Sequence, residues 1–163
     1  MTKGQILKRI FICFLEDNFF ENASIENIWH AFIKSHPKGL DTEENFSFLK
    51  RYFEDTLAKH FEMNSSSILP QYTSDYHQYQ LKKYLLPEKY KSSYEFLFQK
   101  IQDLKKEYAL NEIEANCLKE CMKEIPEIGF QIQWSLHQRE QICCEIESKL
   151  NVYEELIKSF DGL

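Results

Sequence analysis

Residues 132–160 read IQWSLHQREQICCEIESKLNVYEELIKSF, and the spacing of their apolar side chains decides the fold. Ile132, Leu136, Arg139, Cys143, Ile146, Leu150, Tyr153, Ile157 and Phe160 follow one another at steps of four and three, with Arg139 the one charged exception. A repeat of about 3.5 residues specifies a helix with one packing stripe and excludes a strand, whose side chains alternate every second residue. Helix from Glu127 to Phe160 is about 50 Å long at 1.5 Å per residue. That exceeds what a compact domain of 163 residues needs. Two arrangements bury the stripe: packing against a partner or a second copy, or coverage by earlier helices of the same chain.

Upstream, Pro87 suits the first turn of a helix, and Tyr90, Tyr94, Leu97, Ile101, Leu104 and Tyr108 continue a heptad seam. Asn111 with Glu114 has the form of a cap, predicting a further helix whose apolar face is Ile113, Cys117, Leu118, Cys121 and Ile125. Pro126 and Gly129 mark a reversal or a kink before the long helix.

The N-terminal part shows the same periodicity. Thr2 with Gln5 is a capping box ahead of Leu7, Ile10, Phe11 and Phe14, a stripe ending near Phe20. Ser24 caps a second helix through Ile28, Trp29 and Phe32, stopped by His36-Pro37-Lys38-Gly39. Asp41 with Glu44 opens a third, carrying Phe46, Leu49, Phe53, Leu57 and Phe61. Asn64-Ser65-Ser66-Ser67 and Pro70 read as a loop, and a short tyrosine-rich helix is expected from Asp75 to Leu86. The expectation is therefore an all-α helical bundle. It comprises a compact three-helix N-terminal unit over 1–62, a polar loop over 63–74, and a helical array over 75–163 ending in the long C-terminal helix. A single continuous domain is the alternative division.

Composition removes several classes of function. The four glycines stand alone at Gly4, Gly39, Gly129 and Gly162, so no glycine-rich loop brings backbone amides to a phosphate. No apolar run is long enough to span a bilayer. The basic start Lys3 to Arg9, followed by Ile10 to Leu15, resembles a signal peptide, but Glu16-Asp17 stands where a small-residue cleavage site is needed. Five cysteines, two of them adjacent at Cys143 and Cys144, fit free thiols in a reducing compartment and predict a cytoplasmic protein. Net charge is −6, and residues 109–163 carry 11 acidic against 5 basic side chains, so that third repels polyanions.

Candidate constellations for chemistry are sparse. Cys117 and Cys121 share a helix face, but with a reversal near residues 127–128 Cys117 meets His137 while Cys143 lies about 7 Å further along the axis, so four thiolate or imidazole ligands do not converge. His137 and Glu140 form one H-x-x-E pair without the repeated Glu-x-x-His of a di-iron bundle. No nucleophile elbow is present, and the five histidines are scattered. As a helix-turn-helix, the second and third helices would present Asp41, Glu43 and Glu44 to a duplex, which repels them. No catalytic, cofactor-binding or metal-binding residue is assigned.

What remains is a docking protein: a small acidic adaptor, chaperone or regulator that binds another protein or a second copy of itself. The tyrosine-rich segment reads first as a core edge with snorkelling lysines and next as a protein interface, whose contact residues would be Tyr76, Tyr79, Tyr84, Tyr90 and Tyr94, because tyrosine supplies rigid, amphipathic contact area. Trp134 with the distal seam Leu150, Tyr153 and Ile157 forms the alternative surface. The competing function is a nucleic-acid-associated regulator using the N-terminal helices and the Lys/Tyr-rich segment 72–94, in which tyrosines interleaved with Lys82, Lys83, Lys89 and Lys91 stack on single-stranded bases. Polyanion affinity falling steeply with added salt distinguishes it.

Overall fold

A computed structural model of the chain describes residues 1–36 and 39–162. Pro37 and Lys38, part of the expected stop after the second helix, lie outside the described residues. The fold is all-α apart from one two-stranded sheet, and it divides into two compact units, Met1–Leu85 and a second beginning at Leu86.

The first unit holds helices α1 (Lys3–Asp17), α2 (Ile25–Lys34) and α3 (Glu43–Tyr52). The Thr2 capping box closes as its sequence requires: the Thr2 hydroxyl accepts from the Gln5 N–H at 3.3 Å, and the Gln5 side chain accepts from the Thr2 N–H at 2.7 Å. Ser24 caps α2 by accepting from the Asn27 N–H. The cap of α3 is Thr42 and not Asp41; its hydroxyl accepts from the Asn45 N–H. Past Tyr52 this helix widens into a π-type turn, Phe53–Leu57, and tightens into a 3-10 turn, Ala58–His60, so Phe61 leaves the helix. The core is aromatic: Phe32 of α2 meets Phe11 and Phe14 of α1 edge-on at 5.2 and 5.4 Å, and Leu49, Phe53 and Leu57 close it from α3 and the turn that follows.

Two expectations for this unit are corrected. The segment after Phe61 is an antiparallel β-hairpin, β1 (Phe61–Asn64) with β2 (Gln71–Ser74), in which Phe61 pairs with Ser74 and Asn64 with Gln71. Four-residue strands carry too few residues for alternation to register, yet Phe61 and Tyr72 are both buried against Phe53. Tyr72 also exchanges both backbone hydrogen bonds with Ala23, which ties the loop before α2 to the hairpin. Nor is 75–86 a helix. Only Lys82–Leu85 forms a 3-10 turn, because the Tyr79 and Leu81 N–H groups donate to the Glu16 carboxylate of α1, each at 2.6 Å, and Tyr79 takes a positive φ of 72°.

The second unit is a helical hairpin of α4 (Glu88–Glu124) and α5 (Gly129–Lys158), about 55 and 45 Å long. The chain reverses through a 3-10 turn at Pro126–Ile128, which selects reversal over a kink. The helices run antiparallel: Tyr108 meets Glu147, Lys105 meets Glu154 and Tyr94 meets Phe160. The stripe from Ile146 to Phe160 faces Tyr90, Tyr94, Leu97, Ile101, Leu104 and Tyr108, and Ile132 to Cys143 face the part of α4 from Asn111 onward, so the chain itself covers its long helix. The expected helix start at Asn111 is absent, and α4 runs through it. Asn111 is buried on the seam; its side-chain amide donates to the Glu107 carbonyl at 2.9 Å, and its oxygen lies 3.4 Å from the Arg139 guanidinium. A partner across the seam has replaced the capping role.

Ile101 is fully buried in this seam, whereas Phe96 on the same helix is 58% exposed. Ile101→Ala is expected to destabilise the chain by about 2–4 kcal/mol, and Phe96→Ala to change stability by less than about 0.5 kcal/mol. Urea unfolding followed by circular dichroism checks the contrast, and equal effects would contradict the seam.

Candidate functional site

The five tyrosines expected as contact residues divide between the two units, and Tyr76, Tyr79 and Tyr94 are buried. Tyr76 is buried: its hydroxyl donates to the Leu15 carbonyl at 2.7 Å and lies 3.0 Å from that of Asn18, while its ring stacks on Phe19. Burial pushes its phenol up to about 12. Tyr79 is also buried. Tyr84 is half-buried, 2.7 Å from the His60 imidazole, with Lys59 and Lys83 over its ring. Tyr90 and Tyr94 belong to the second unit, where both pack edge-on against Phe160 and Tyr94 is fully buried. In the alternative set, Leu150, Tyr153 and Ile157 lie on the seam facing α4. Trp134 stands outside it and is 62% exposed.

Buried titratable groups in the first unit hold the backbone together. Glu16 ends α1 with its carboxylate on two N–H groups of the 79–81 segment. Desolvation nevertheless outweighs these bonds and the nearby Lys82, so its pKa is raised above 4.5. His60 is depressed below its ordinary value by burial first and then by Lys59 and Lys83, which keeps it neutral at pH 7.

The cysteines are free thiols. Cys143 and Cys144 line a cleft of about 270 Å³ between α4 and α5, with Glu112, Glu140, Lys119 and Tyr108. Desolvation and the carboxylates, Glu112 foremost, push the Cys143 thiol up, away from the thiolate a nucleophile or metal ligand requires. Among the described residues, no group of three or more His, Cys, Asp or Glu side chains is arranged to hold a metal ion. No helix among them is long and apolar enough to cross a membrane.

The surface that stands out lies outside the hairpin seam. One flank is polar and acidic: Glu140, Glu147 and Glu154 of α5 face Lys105, Glu112 and Lys119 of α4. On this flank Lys105 pairs with Glu154 at 3.5 Å, and Tyr108 donates to Glu147 at 2.9 Å. That bond to Glu147 pushes the Tyr108 phenol up to about 12. The opposite flank mixes charge with apolar side chains. There Phe96 and Leu110 of α4 are exposed by 58% and 56%, and Val152 and Leu156 of α5 are exposed beside half-buried Ile142. The loop end adds Ile125, Ile128 and Phe130, the last 83% exposed.

Sequence reasoning missed this mixed flank. Its signal is present, since Phe96, Asp103, Leu110 and Cys117 recur every seven residues. That spacing is legible only if α4 is one helix, and the cap-like Asn111 and Glu114 interrupt it on paper.

Glu16→Ala leaves two buried N–H groups without an acceptor and is expected to cost about 2–4 kcal/mol in unfolding experiments. The folded carboxyl titrates above its unfolded value, so its contribution to stability is full below the unfolded pKa and declines as pH rises through the folded one. The stability difference between the wild type and Glu16→Gln is therefore expected to be smaller at pH 7 than near pH 4.5. A difference that grows with pH would contradict the burial of this charge.

No protein-family model, curated protein or solved structure matches this chain.

Proposed function

We propose that this chain is a non-catalytic protein-binding module, an adaptor, chaperone or regulator whose docking element is the α4–α5 hairpin. The observation that carries the reading is the imbalance of that unit. Two helices bury a single seam, while Phe96, Leu110, Ile113, Phe130, Trp134 and Leu156 keep large apolar surfaces in water. Each such side chain gains on the order of 1.5–3 kcal/mol when a partner covers it fully. A partner that covers several of these side chains together collects that gain at each one. The five free thiols favour a reducing compartment, in keeping with a cytoplasmic role.

The nucleic-acid alternative loses support at its stacking platform. Tyr76 and Tyr79 are buried, and Lys82, Lys83 and Lys89 lie over the chain's own tyrosine rings. Aromatic faces covered by protein cannot stack on bases.

Site-specific photocrosslinking tests the docking reading. Benzoylphenylalanine in place of Phe96 or Phe130 is expected to give discrete protein adducts when irradiated in cells. The same group at exposed Asn116, on the polar acidic flank of the hairpin, is expected to give none. Absence of adducts from Phe96, Leu110, Phe130 and Trp134 alike would contradict it.

A further inference from the structure

We infer that the occupant of the mixed flank is a second copy of this chain, the two hairpins lying face to face with their loops at opposite ends. This rests on the protein-docking reading above and names its partner.

The levels along the hairpin come from its own contacts. Arg139 of α5 meets Asn111 and Glu114 of α4, so counting outward sets Leu110 beside Ile142 and Phe96 beside Leu156. On α4 the exposed flank then runs Phe96, Lys100, Asp103, Glu107, Leu110. Inverting that order about Asp103 places Phe96 over Leu110 of the second copy and Lys100 over Glu107 of the second copy, and symmetry repeats both contacts. On α5 the same operation places Leu156 over Ile142 of the second copy and Val152 over the stem of Glu145 of the second copy. At the two-fold axis, Asp103 and Lys149 from both chains meet as a set with no net charge.

Neither neighbouring arrangement fits as well. With the loops at the same end, Lys100 falls opposite Val152 and Leu156, and Glu107 falls near Glu145. With the loops at opposite ends, pairing through the other flank about Lys105 sets Lys105 on Lys105, Glu147 on Glu147 and Glu140 on Glu154 of the second copy, and like charges in contact oppose association. The flank from Ser93 to Glu114 is about 30 Å long and two helices, about 20 Å, wide, so two copies bury roughly 1,200 Å², enough for a specific interface. Such a dimer is a four-helix bundle, the assembly in which a two-helix unit acquires a second buried seam.

Charge exchange at Lys100 and Glu107 tests the arrangement in the full-length chain. Lys100→Glu alone and Glu107→Lys alone each turn two attractive contacts into repulsive ones, and each is expected to weaken self-association about tenfold or more. Mixing the two variants restores opposite charges at both contacts, so differently labelled chains are expected to pair, as read by energy transfer. The double variant Lys100→Glu with Glu107→Lys is expected to self-associate like the wild type. Pairing in the mixture also establishes that both variants are folded.

Single variants that associate like the wild type would overturn this interface and leave docking elsewhere on the hairpin intact. A wild type that never pairs, combined with crosslinked adducts of a different protein at Phe96, would overturn the second copy and leave the docking module standing. No pairing and no adducts would remove both.

Discussion

The register between α4 and α5 governs what this protein presents to its surroundings, and one polar layer marks it. Arg139 is the lone charged residue on the α5 seam and Asn111 is the buried polar residue on the α4 seam, and they face each other. Glu114 completes the layer by an ion pair with Arg139 at 2.9 Å. Both charged side chains are 40% exposed, so the pair adds about 0–1 kcal/mol; its value lies in selecting one alignment. Sliding one helix by a heptad would set Arg139 against Leu104 or Leu118 and leave Asn111 among apolar groups. Every level on the flanks, and with it the order of exposed apolar and charged side chains, follows from this alignment.

The first unit depends on a different constraint. Glu16 lies at the end of α1, and its carboxylate takes two backbone N–H groups from a segment more than 60 residues away. Those donors are lost to a helix, which is why the tyrosine-rich stretch turns instead of coiling. Tyr76 reinforces the same junction by bonding to the carbonyl of Leu15, where α1 ends. Aromatic side chains of this stretch thus serve as internal ties, the Tyr76 hydroxyl on the Leu15 carbonyl and the Tyr84 hydroxyl against His60.

What was legible in the sequence divides along these lines. Helices α1 and α2 were readable because Thr2 and Ser24 are local signals acting on donors three residues away. The α5 stripe was readable because its repeat is long. The β-hairpin and the 75–81 turn were not, since their causes, Tyr72 on Ala23 and Glu16 on Tyr79, join distant parts of the chain. The mixed flank falls between. Its residues recur every seven positions, but Asn111 with Glu114 imitates a helix start, and only the partner across the seam shows that both are interior. Trp134 was named from sequence and is exposed, whereas Leu150, Tyr153 and Ile157 were named from the same stripe that α4 covers.

The hairpin leaves a flank on which exposed apolar and oppositely charged side chains alternate, and the proposed pairing of that flank with a second copy changes the mass of the particle in solution. The most direct measurement is the mass of the unmodified chain in solution by sedimentation equilibrium across a wide range of concentration. A rise from the 19.6 kDa of one chain to twice that value, shifting to higher concentration with added salt, is the predicted result. A single species of one chain mass at every concentration and ionic strength would contradict it.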